Sequence, residues 1–124
     1  MNLITLFKKK LIAGDSERQN IIKNFWECLD FIKGDDKVLV HCTGGISRSP
    51  TVVIAYIIWS KKMSYEEALE FVRGKRYGVF PNAGFRDQLQ LFEKVLIENN
   101  YDIDKIKFDE IKWEPKEHYD FDIY

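Results

Sequence analysis

Residues 50 to 59, PTVVIAYIIW, are apolar almost all the way round a helix, and a helix of that kind must lie inside the molecule. Pro50 fits its first turn, where the missing N–H costs nothing. Ahead of it, KVLVH at 37–41 is β-branched, apolar and bounded by turn residues, which predicts a buried strand. Gly44 and Gly45 lie in the turn between them. A strand feeding a buried helix needs further elements to cover both. KLIA at 10–13 reads as a short strand. Ser16 and Gln19 form a capping-box pattern ahead of Ile21, Ile22, Phe25, Cys28, Leu29 and Ile32, one apolar helical face that GDD at 34–36 ends. Ser64 and Glu67 form a second capping box, opening a helix that stops at Gly74. A last helix is expected from about Gly84 to Ile97, with Phe85, Leu89, Phe92 and Leu96 on one face. At 124 residues and 45% apolar content there is room for one core, so the pattern predicts a single α/β domain.

A formal net charge of −1 gives no overall pull toward nucleic acid or an anionic membrane. The amino end, MNLITLFKKK, places its lysines after a short apolar patch, the reverse of a secretory signal, and no apolar run reaches the roughly 18 residues that span a bilayer. The expected location is cytoplasmic, with the nucleus as the alternative. In such a reducing compartment Cys28 and Cys42 are not a disulfide framework. With only His41 and His118 to join them, they have no ligand-pair spacing for a metal, and none is expected, nor any cofactor.

The segment HCTGGISRSP, 41–50, combines a thiol, two glycines and an arginine at the strand-to-helix junction. Amides of such a turn and the positive end of the following helix converge on one concavity that suits an anion. Gly44 and Gly45 allow the close backbone approach this needs. Arg48 can hold two phosphate oxygens with its planar fork. The same groups stabilise a thiolate, so the Cys42 pKa should fall into the roughly 3.5 to 7.5 range of activated thiols. Each feature alone is ordinarily structural, but a packed core has no use for an arginine at that helix start. No Gly-Lys-Ser/Thr follows the glycines, which excludes a nucleotide-binding loop.

HCTGGISRSP resembles the signature of the cysteine-dependent dual-specificity protein phosphatases of the protein tyrosine phosphatase superfamily. YEEALEFVRGKRYGVFPNAGFRDQLQLFEKVL, 65–96, is similar to the family's downstream stretch, with its Pro-Asn-x-Gly-Phe and Gln-Leu. LIAGDSERQNIIKNFWECLDFI, 11–32, resembles the segment bearing the family's general acid, which would be Asp15. The resemblance implies a mostly parallel central sheet flanked by helices. It also implies hydrolysis of phosphotyrosine and phosphoserine or phosphothreonine in phosphoprotein substrates. Cys42 would be the nucleophile, with Thr43, Gly44, Gly45, Ile46, Ser47 and Arg48 binding phosphate. Asp15 would serve as acid and then base, Ser49 would donate a hydrogen bond to the departing thiolate, and His41 and Asn82 would support the loop. An aspartate ahead of a helix is ordinarily an N-cap. Yet a helix of about 17 residues carries the chain about 26 Å away and a five-residue strand returns it about 17 Å, so the spacing lets Asp15 face Cys42.

Family members normally carry further strands and a helix ahead of the acid, whereas 14 residues precede Asp15 here, so the sheet is expected to be shortened at its N-terminal side. The alternative function is a catalytically weak or inactive phosphate-binding module. The catalytic domain is expected over 1–98, followed by a tail, 99–124. Within it, residues 101–124 hold eight acidic residues, four lysines and six aromatics. IKFDEIKW, 106–113, reads either as a strand against the depleted sheet or as part of a loose acidic tail. Cys28 reads as core, or as a disulfide partner for Cys42 under oxidation. Arg73, Lys75, Arg76 and Arg86 read either as a basic cleft rim or as a solvated face.

Overall fold

The computed structural model describes residues 3–6, 9–12, 18–33, 40–41, 48–75, 78–117 and 119. Among the described residues three strands form one sheet: β1 (Leu3–Leu6), β2 (Lys9–Ile12) and β3 (Val40–His41), in the order β2-β1-β3. Helix α1 (Phe25–Lys33) follows β2 and precedes β3, and α2 (Arg48–Lys61), α3 (Tyr65–Lys75) and α4 (Ala83–Glu98) come after it.

Both described pairings are antiparallel, which departs from the mostly parallel sheet expected from the sequence. The reason is β1, where Leu3, Ile4 and Leu6 form a strand that the sequence reading passed over. Only two residues separate β1 from β2, too few for the crossover that a parallel pair requires, so they pair as a hairpin with Leu6 opposite Lys9 and Leu3 opposite Ile12. On its other edge β1 pairs with β3, Thr5 opposite His41. Residues 37–39 of the expected KVLVH strand lie outside the described residues.

The buried helix is α2. Val52, Ile54, Ala55 and Ile58 have no solvent exposure, and the helix is packed against α1, α3 and α4. The Ser64 capping box forms as expected: the Ser64 hydroxyl accepts from the Glu67 amide at 3.1 Å and the Glu67 carboxylate accepts from the Ser64 amide at 3.1 Å. Helix α3 runs one residue past Gly74, and Gly78 beyond it takes φ +87°, a left-handed conformation suited to glycine.

Helix α1 starts later than its sequence signal. Ser16 lies outside the described residues, and residues 18–21 are not helical. A 3₁₀ turn at Ile22–Asn24 leads into the helix at Phe25. The amides of Ile21 and Ile22 are taken up by the side chain of Gln88 from α4, so the start is set from across the fold.

The carboxyl-terminal segment is part of the core up to Ile111, and its described residues contain no strand. Asn100 and Tyr101, with φ 54° and 60°, reverse the chain after α4, and the Tyr101 amide donates to the Leu96 carbonyl at 2.7 Å, as in a Schellman ending. The Trp59 indole N–H donates to the Tyr101 carbonyl at 3.2 Å. Two 3₁₀ turns, Ile103–Lys105 and Phe108–Glu110, then bury Ile103, Ile106 and Phe108. Phe92 joins Phe25 at 5.1 Å, edge to face, and Phe108 at 6.1 Å, a column of three rings linking α1, α4 and this segment.

Candidate active site

Strand β3 ends at His41 and helix α2 begins at Arg48, so Cys42 to Ser47 connect a strand end to the N-terminus of a 14-residue helix. Pro50, buried, is the third residue of that helix. Among the expected site residues, Asp15, Cys42, Thr43, Gly44, Gly45, Ile46 and Ser47 lie outside the described residues, as do the side chains of His41, Arg48 and Ser49. The described elements fix where the chain leaves the sheet for the two key segments.

Strands β2 and β3 are each antiparallel to β1 and therefore run in the same direction on either side of it. Their carboxyl ends open on one edge of the sheet, about 10 Å apart for two strand spacings. Asp15 is three residues beyond Ile12, and Cys42 is one beyond His41. In register, His41 lies opposite Thr5, and Thr5 opposite Lys10. His41 is thus two residues, about 7 Å, short of the level of Ile12. The expected acid and nucleophile segments leave the sheet on the same side.

Asn82 is the N-cap of α4. Its side-chain oxygen accepts from the Phe85 amide at 2.8 Å, with φ −64° and ψ 166° in the extended region that a cap requires. Its expected support of the 42–47 segment falls on residues outside those described.

Gln88, which the sequence reading did not single out as a site residue, joins residues 19–22 to α4. It has no solvent exposure and fills all four of its hydrogen-bonding positions. The oxygen accepts from the amides of Ile21 at 2.7 Å and Ile22 at 2.9 Å. The nitrogen donates to the carbonyls of Gln19 at 2.9 Å and Gly84 at 3.2 Å. The signal was there: Gln88 is three residues after Phe85 and four before Phe92, a polar side chain on the buried face.

Of the four basic residues weighed as a rim, Arg73 and Arg86 stand over the Phe80 ring at 5.6 and 4.9 Å, next to the Pro-Asn-Ala-Gly-Phe segment. Lys75 is over Phe71 instead, at 5.7 Å, and Arg76 lies outside the described residues. A groove of about 460 Å³ beside Arg86 is walled by Leu69, Phe80, Asp87, Lys116 and Tyr119. Lys116 ties the carboxyl-terminal segment there, with its ammonium 3.7 Å from Asp87 and its carbonyl accepting from Arg18 at 3.2 Å. Cys28 is fully buried on α1, in the core.

Residues 5–95 match the model of the dual specificity phosphatase catalytic domain. The chain is 56% identical over 71 residues to protein 123R of Invertebrate iridescent virus 6, named as a tyrosine phosphatase, covering 57% of this chain and 50% of that one. It is 45% identical over 86 residues to human dual specificity protein phosphatase 22, covering 66% of this chain and 47% of the relative. Among solved structures, the human tyrosine phosphatase-like serine/threonine/tyrosine-interacting protein superposes with a TM-score of 0.69 at 39% identity, over 73% of this chain and 66% of that one. The chain spans about half the length of these two sequence relatives.

Proposed function

Since the chain belongs to the dual specificity phosphatase catalytic-domain family, we propose that it is a protein phosphatase that removes phosphate from tyrosine and from serine or threonine through a phosphocysteine intermediate. The observation that carries this reading is the placement of the six residues 42–47, headed by Cys42, between the end of β3 and the start of α2 at Arg48. A helix N-terminus offers unpaired amides and partial positive charge to that segment. The α/β architecture we assign is that of the protein tyrosine phosphatases, with helices packed around a small central sheet.

In the first step the Cys42 thiolate forms a bond to phosphorus as the bond to the leaving oxygen breaks, and Asp15 gives that oxygen its proton. Amides of Thr43 to Arg48 and the Arg48 guanidinium hold the equatorial oxygens. In the second step Asp15 takes a proton from water, the water oxygen bonds to phosphorus, and the sulfur leaves as thiolate, accepting a hydrogen bond from Ser49. His41 supports the loop from behind. The common exit edge of β2 and β3 supports the pairing of Asp15 with Cys42. The reaction suits a reducing cytoplasmic or nuclear setting, where the thiol stays unoxidised.

Turnover of para-nitrophenyl phosphate and of matched phosphotyrosine and phosphothreonine peptides tests the reading, with activity lost in Cys42→Ser. A second reading, a phosphate-binding module, is favoured by the human structural relative, which is named as tyrosine phosphatase-like. It predicts tight phosphopeptide binding with no turnover by the native chain.

A further inference from the structure

We propose that Gln88 is a positioning residue for the acid step: it clamps residues 19–22, the chain that follows Asp15, to α4. The inference rests on the phosphatase reading above, with Asp15 as the acid. Gln88 is fully buried, and three of its four hydrogen bonds go to a segment 66 to 69 residues away in sequence. A leucine or methionine would fill the same volume on the apolar face. What the amide adds is directional: its oxygen gathers the Ile21 and Ile22 amides, and its nitrogen holds the Gln19 carbonyl.

Gln19 is the point of this clamp nearest Asp15, four residues downstream of it, so Asp15 lies within about 14 Å of chain from a fixed carbonyl. The other end of the clamp is equally fixed. Gln88 is six residues from the Asn82 cap, about 9 Å along α4, and its nitrogen also bonds the Gly84 carbonyl. The acid-bearing segment is therefore registered against the helix that begins at the Pro-Asn-Ala-Gly-Phe segment. Without the clamp, residues 19–22 would lose three interior bonds, and with them the fixed end of the chain that follows Asp15. Misplacement by about 1 Å can cost on the order of 100-fold in a proton-transfer step.

The test is a series of aryl phosphates that differ in leaving group, because a dinitrophenolate leaves without help whereas phenolate, whose conjugate acid has a pKa of about 10, requires the proton. In Gln88→Met, kcat/KM for phenyl phosphate should fall about 10- to 100-fold. For dinitrophenyl phosphate it should change by less than about threefold, and Cys42 alkylation with its protection by tungstate should be unaltered. Gln88→Glu, which keeps the acceptor for Ile21 and Ile22 but turns an oxygen toward the Gln19 and Gly84 carbonyls, should share the loss for phenyl phosphate. An equal fall for both esters, or no fall for either, would overturn the proposal, since a purely structural role predicts one of those. Asp15→Asn separates the two claims. If it shows no leaving-group selectivity, or the native chain does not turn over, the phosphatase reading fails and this inference with it. If Asp15→Asn is selective and Gln88→Met is not, only the role of Gln88 fails. Should Gln88→Met not fold, hydrogen exchange on the native chain decides: protected Ile21 and Ile22 amides support the clamp, and fast exchange at both refutes it.

Discussion

Phe108 is the residue that best tests whether the carboxyl-terminal segment is core. It lies in the second 3₁₀ turn, 7% exposed, with its ring 6.1 Å from that of Phe92. Replacing it with alanine removes on the order of 120 Å² of buried apolar surface, about 3 kcal/mol at ~25 cal/mol per Å². The lost ring pair adds about 0.5 kcal/mol, and collapse of the rim returns a similar amount. Phe108→Ala should therefore destabilise the protein by about 3 kcal/mol, a fall in Tm of about 12 °C for a chain of this size. Urea unfolding followed by tryptophan fluorescence, with an unchanged m-value, measures it. Ile97, 53% exposed on α4, is the control, and Ile97→Ala should cost less than about 0.5 kcal/mol. A loss below about 1 kcal/mol for Phe108→Ala would show that the core does not extend beyond α4, and the packing of residues 103–108 described above would be wrong.

Ser64→Ala removes one half of the capping box that opens α3 and should cost about 1 kcal/mol in the same unfolding assay. Cys42→Ser should abolish turnover while leaving the unfolding midpoint unchanged. Asp15→Asn should lower kcat/KM for phenyl phosphate by about 10² to 10⁴, measured by steady-state phosphate release. A loss under threefold would remove Asp15 from the mechanism.

Much of this fold was legible because its signals are local. The capping box at Ser64 and Glu67 and the apolar rows of α3 and α4 depend on residues within a few positions of one another, and they formed where the pattern put them. Two of the departures have remote causes. The start of α1 follows the Gln88 side chain rather than the Ser16 and Gln19 pattern. Strand β1 depends on pairing with both β2 and β3, which a short run of Leu3, Ile4 and Leu6 before three lysines does not reveal. In the carboxyl-terminal segment Ile103, Ile106, Phe108 and Ile111 recur at intervals of three, two and three, which match neither the alternation of a strand nor an α-helix, and the outcome is a pair of 3₁₀ turns. At the candidate site, the family was readable from HCTGGISRSP, and residues 5–95 match its model. The bonding of Gln88 to residues 19–22 was not, because it joins residues nearly 70 positions apart.

Everything proposed about reactivity depends on Cys42 being ionised near neutrality beside the N-terminus of α2. The pH dependence of its alkylation by iodoacetate, with and without tungstate, measures this directly. A midpoint below about pH 7.5 with protection by tungstate is the predicted result. A midpoint near pH 8.5, that of an ordinary thiol, with no protection would contradict it.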